Sequence, residues 1–109
     1  MSATATLEQQ AEGCYRLRGS LTFATVKGLL TEVERITAQT PEGTALELDL
    51  AQVEAADSAG LVLLLEWLER VEARGSRLTL RNLPDELRQL AHISNVEALL
   101  LDPAAPANP

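Results

Sequence analysis

Leu46-Glu47-Leu48-Asp49-Leu50 alternates apolar and polar residues without a break, and within a few residues the period changes. Strict alternation is the signature of a half-buried strand. Downstream, Leu61, Leu64, Leu65, Leu68 and Val71 recur at offsets of three and four, the core stripe of an amphipathic helix. Between them stands Asp57-Ser58-Ala59-Gly60. Asp57 or Ser58 occupies the N-cap position, where a short side-chain oxygen accepts an orphan backbone N–H. Gly75, after Arg74, is suited to the residue just past a helix end. The 29 residues from Leu46 to Arg74 therefore read as a strand, a loop over Ala51 to Asp57, and a helix whose exposed start carries a small hydroxyl.

The rest of the chain repeats these periods. Ala3 to Leu7 alternates weakly, Gln9 to Gly13 reads as a turn, and Cys14 to Gly19 alternates again, so the first two stretches predict a hairpin. Ser20 to Thr25 holds several candidate caps ahead of a helical stripe of Val26, Leu29, Leu30, Val33 and Ile36. Pro41-Glu42-Gly43 ends that unit. Arg77-Leu78-Thr79-Leu80-Arg81 predicts another strand. Asn82-Leu83-Pro84-Asp85 starts a helix carrying Leu87, Leu90 and Ala91, with Pro84 tolerated near the first turn. Asn95 breaks that helix before a short apolar piece at Leu99 to Leu101. One domain is expected over residues 1–102, with a Pro/Ala-rich, disordered tail over 103–109. Alternating strands, as opposed to continuous apolar runs, predict a sheet with helices on one face and polar residues on the other. Glu47 and Asp49 would share the polar face with Arg16, Arg18, Arg77 and Arg81 as cross-strand charge pairs.

Composition narrows the function. Among 109 residues, 46% are hydrophobic and the net charge is −7. Such a chain folds, but it is poorly matched to nucleic acid or anionic lipid. A single cysteine, Cys14, excludes an internal disulfide and fits a reducing cytoplasm. The first residues have neither the basic start nor the apolar core of a signal peptide. No zinc spacing joins Cys14 and His92, and His92 suits the C-terminal dipole of its helix. Neither phosphate-cradling glycine pattern occurs, so no nucleotide, metal or other cofactor is expected. The G-x-S-x-G elbow of a nucleophilic serine is absent, since Ala56 stands in place of the first glycine. Ser58 is then either a cap or a recognition hydroxyl at a helix start, where a phosphate would be accommodated. At about 100° per residue, Leu63 and Trp67 point away from the Leu61/Leu64/Leu68 stripe, with Ala59 preceding them on the same side. They are either covered by neighbouring helices or form an exposed apolar ridge beside Ser58, and Trp is a frequent interface anchor.

Leu46 to Leu50, Val53, Asp57-Ser58-Ala59-Gly60-Leu61, the leucine-rich helix, Gly75 and Leu78-Thr79-Leu80 together resemble the STAS domain. That is the domain of bacterial anti-sigma factor antagonists and of the C-terminal parts of sulfate transporters. The resemblance covers roughly Leu7 to Leu101. It implies an α/β fold, a small mixed sheet with helices mainly on one face, and a protein that is no enzyme but binds partners around the helix start. Two branches compete. In anti-sigma factor antagonists, Asp-Ser is followed by Ser or Thr and then Gly, and a partner kinase phosphorylates the serine. In the STAS subunit of the Mla phospholipid-transport ABC complex (MlaB), Asp-Thr is followed by a small residue and Gly. Ser58 matches the first branch and Ala59 the second. Chain length and Leu61 through Leu68 lean to the second, which implies a cytoplasmic subunit, held at the inner membrane only through its partner. That partner would be the MlaF-type ATPase, and indirectly its permease, of a transporter maintaining outer-membrane lipid asymmetry. Asp57, Ser58, Ala59, Gly60, Leu63 and Trp67 would form the docking surface. The alternative implies Ser58 as the phosphoacceptor of an anti-sigma factor kinase.

Overall fold

The computed structural model describes residues 3–101, so the expected tail lies outside the described residues. Two strands open the chain, β1 (Ala5–Ala11) and β2 (Cys14–Leu21), joined by a tight turn in which Gly13 takes φ +77. The hairpin is present, displaced from the expected Ala3–Leu7 because β1 continues through Gln9 to pair with Tyr15. Helix α1 (Val26–Gln39) comes next, burying Leu29, Val33 and Ile36 of the expected stripe. Val26 and Leu30 lie at the edge of that stripe and are half-buried.

Strand β3 (Ala45–Ala56) corrects the expectation from sequence. Its first half is the expected alternation, with Leu46, Leu48 and Leu50 buried and Glu47 and Asp49 half-exposed. The expected loop from Ala51 is instead more strand. Gly19 pairs with Val53, Ser20 with Ala55 and Leu21 with Ala56, across two register shifts. The first shift lies where the alternation changes phase, from Leu46, Leu48 and Leu50 to Ala51, Val53 and Ala55, and the backbone ladder continues across it. The chain then runs through α2 (Ser58–Ala73), β4 (Arg77–Arg81), α3 (Asp85–Ile93) and α4 (Glu97–Leu101). Gly75, at φ +73, closes α2: its N–H donates to the Glu72 carbonyl and the Ser76 N–H to that of Val71. Asn95, at φ 61, separates α3 from α4, where the helix break was expected.

The strands form one four-stranded sheet in chain order, β1 antiparallel to β2, then β2, β3 and β4 parallel. Leu17, Leu46, Leu48, Leu50, Leu78 and Leu80 point from its inner face into a core shared with the helices. The outer face carries ion pairs: Arg81 to Glu47 at 2.9 Å, Arg16 to Asp49 at 3.8 Å and Arg18 to Glu8 at 3.6 Å. Arg18 thus pairs within the hairpin and not with β3 as expected. Pairs this exposed contribute about 0–1 kcal/mol each. No helix among the described residues is long and apolar enough to cross a membrane.

Candidate functional site

The start of α2 is held by one carboxylate. Asp57 has extended backbone and is the N-cap; its Oδ1 accepts from the Gly60 N–H at 3.1 Å. Its Oδ2 accepts from the Phe23 N–H at 3.0 Å, in the turn that joins β2 to α1. The backbone completes the clasp, the Asp57 N–H donating to the Leu21 carbonyl at 3.2 Å. The Phe23 N–H, with smaller contributions from the amides of Gly60 and Ala59, holds the Asp57 carboxyl below the usual range. The ionised carboxylate therefore ties two loops together. Thr25 stiffens the second loop, its hydroxyl donating to the Ser20 carbonyl at 2.7 Å and accepting from the Thr22 N–H at 3.1 Å. No side chain caps α1, so the expected caps in Ser20 to Thr25 serve the turn instead.

Gly60 is required by closeness. A Cβ there would come within 2.2 Å of the Leu21 carbonyl oxygen. The helix start thus lies against the end of β2, and Ser58, one residue past the cap, is left exposed. Because Asp57 takes the capping role, the Ser58 hydroxyl has no structural duty among the described residues. On the other side of the loop, Glu86 of α3 accepts from the Ala56 N–H at 3.3 Å.

The ridge of Leu63 and Trp67 is corrected by the structure. Leu63 is 6% exposed and Trp67 1%. Helix α2 buries Gly60, Leu61, Leu63, Leu64, Trp67, Leu68 and Val71, an arc of roughly 160° at about 100° per residue. The sheet covers part of that arc, and α1, α3 and α4 pack on the rest. The Trp67 indole N–H is buried without a protein partner. The exposed large apolar residue on this helix is Val62, at 63%, and Phe23 is 81% exposed. A groove of about 380 Å³ runs between α1 and α2, lined by Val26, Leu30, Ala59, Val62 and Leu63, with Lys27 and Glu66 at its rim. Leu63 lies along that groove but is not a projecting anchor. Phe23 and Val62 were not singled out from sequence. Val62 was visible as an apolar residue on the polar arc of α2, whereas the exposure of Phe23 depends on how its turn folds back.

His92 sits in the last turn of α3 and faces Glu97 across the Asn95 break at 3.3 Å. Cys14 donates to Glu47 at 3.4 Å on the outer sheet face, and that hydrogen bond raises its pKa. No group of three metal-ligating side chains gathers among the described residues.

A family model described as "Mlab, STAS domain" matches residues 5–102. The chain belongs to the STAS-domain family. No curated protein matches it significantly. Among solved structures, the anti-sigma factor antagonist SpoIIAA in its unphosphorylated form is 19% identical, covering 91% of this chain and 87% of that one, with a TM-score of 0.69. An anti-sigma factor antagonist from Mycobacterium paratuberculosis is 24% identical over 94% of this chain and 87% of its own, with a TM-score of 0.66. The murine anion transporter Slc26a9 is 21% identical, with a TM-score of 0.58; the match covers 73% of this chain and 14% of the transporter. At these identities the likenesses establish the fold: a STAS domain with a mixed sheet and partner helices.

Proposed function

We propose that this STAS domain is the non-catalytic subunit of an Mla-type ABC phospholipid transporter, docking on its ATPase from the cytoplasmic side. The family match over residues 5–102, whose description names the Mla subunit, carries the reading. The site is consistent with a binding role. Asp57 and Gly60 set the loop, Ser58 and Ala59 sit at the helix start, Val62 lines a shallow apolar groove, and Phe23 stands exposed on the turn that Asp57 holds. Nothing in that group forms a nucleophile–base pair of the kind catalysis needs. Binding regulates the ATPase if the subunit binds the active arrangement better than its alternatives. In that role the chain supports export or retrieval of lipid, and so outer-membrane asymmetry, without touching lipid itself.

The test is co-purification of tagged protein from detergent-solubilised source cells, with mass spectrometry of what accompanies it. An ABC-type ATPase with its permease is the expected result. Ser58→Asp and Val62→Glu should each reduce that recovery at least tenfold, while Trp67→Phe should not. Recovery of neither ATPase nor permease sinks the reading.

The second reading makes the chain an anti-sigma factor antagonist switched at Ser58. The exposed hydroxyl at a helix start, free of the capping role, supports it. So does the existence of the similarly folded Bacillus SpoIIAA in a phosphorylated form. A phosphate on Ser58 would lie beside the ionised Asp57, adding like charge to a docking surface. Intact-mass measurement on protein from native cells decides it; a persistent lack of phosphate across growth conditions counts against the switch.

A further inference from the structure

Helix α1 has a second flank, turned away from the Ser58 site. There a groove of about 560 Å³ separates α1 from β1, lined by Ala5 and Leu7 of the strand and Ala24, Gly28, Leu29 and Glu32 on the helix side. Strand β1 is the edge of the sheet, with no strand beyond it among the described residues. Its hydrogen bonding has a definite phase. The Ser20 N–H donates to the Thr4 carbonyl at 2.8 Å. Antiparallel ladders alternate, so Thr6 and Glu8 also bond inward to β2, and the N–H and C=O of Ala5 and Leu7 face outward. Small residues keep the groove wide. A Cβ built on Gly28 meets nothing within 4 Å.

We infer that this edge is a second docking site, which takes an extended peptide segment of another protein as a fifth strand alongside β1. Backbone groups of Ala5 and Leu7 supply the ladder, and alternate apolar side chains of the peptide enter the groove over Gly28. The other residues of the peptide are basic. Glu32 is the one ionisable group lining the groove among the described residues, and Arg35 holds only its Oε2, leaving Oε1 for an incoming cation. The chain carries net charge −7, which attracts a basic segment and repels a second copy of itself. This site is separate from the α1–α2 groove and does not depend on the reading proposed for it.

The full chain is titrated into a short fluorescent peptide of alternating valine and lysine, read by anisotropy. Backbone amide shifts are mapped by NMR. Saturable binding in the range of about tens of micromolar is expected, with shifts centred on Ala5, Leu7 and α1. Gly28→Phe changes no charge and fills open space; it should leave the melting temperature intact and weaken binding at least tenfold. Glu32→Lys and an alternating valine–glutamate peptide should each abolish binding. The inference is overturned by no saturation up to about 1 mM, by unchanged affinity in Gly28→Phe, or by shifts centred on Ser58 and Val62. Light scattering covers the remaining occupant: a concentration-dependent dimer that Gly28→Phe dissolves would assign the edge to a second copy and overturn the peptide.

Discussion

Asp57 is where chemistry and architecture meet at single-residue scale. One oxygen satisfies an orphan donor of α2 and the other crosses to the turn before α1. Losing a cap costs about 1 kcal/mol, and here the second bond goes with it. Asp57→Ala should therefore lower stability by about 1–2 kcal/mol. It should also raise hydrogen-exchange rates at Phe23 and Gly60 while leaving the amides of β3 protected. A change at Gly60 alone would show that the two loops are not clasped. This cap was legible in the sequence because capping is local: a short oxygen acceptor with a helical stripe directly after it admits few alternatives. The choice between Asp57 and Ser58 was not legible, since it turns on which side chain the chain direction aims at the Gly60 N–H.

At the scale of elements, the sequence was legible where a period is uninterrupted and lost where neighbours decide. Arg77–Arg81 was expected as a strand over the same residues it occupies, because alternation is unbroken there. The second half of β3 was expected as loop, although Ala51-Gln52-Val53-Glu54-Ala55 alternates, because the alternation slips one residue out of phase after Leu50 and is carried mostly by small alanines; pairing with β2, distant along the chain, makes it strand. Helix α2 illustrates the same limit. Its wheel shows which residues lie off the main stripe, but not that the packing of α1, α3 and α4 around α2 leaves Leu63 and Trp67 buried. The two aspects separate by experiment. Trp67→Ala empties a fully buried site and should cost about 3–5 kcal/mol, losing partner binding only together with the fold. Val62→Lys, on the exposed side, should move stability by less than about 0.5 kcal/mol yet still weaken docking. Urea unfolding of both variants is the check. A Trp67→Ala protein that unfolds at the wild-type midpoint would return this side chain to the surface.

Across the whole molecule, Glu47, Asp49 and Asp57 are held ionised by the fold, and they bind the hairpin, the long strand and the α2 start to one another. Arg81, then Cys14, lowers the pKa of Glu47; Asn82, then the Ala51 N–H, lowers that of Asp49; the Phe23 N–H lowers that of Asp57. Each folded pKa lies below its unfolded counterpart. Their stabilisation is therefore complete above the ordinary carboxylate range of about 4 and is lost as pH falls through that range toward the folded values. Cys14 acts in the opposite limb. Its hydrogen bond to Glu47 raises its pKa from 9.0. The unfolded chain thus releases that proton first, and stability declines as pH rises through the unfolded value. The melting temperature should accordingly form a plateau between about pH 6 and pH 8, within the span the ordinary Asp and Cys values define. It should drop steeply below about pH 4 and more gently above about pH 9. Asp57→Asn should make the acid limb shallower and leave the alkaline one alone, since an amide still accepts one N–H but no longer titrates. Cys14→Ala should do the reverse on the alkaline side. If the acid limb of Asp57→Asn overlays that of the wild type after correction for its lower plateau, the carboxylate is not the tie that its geometry describes.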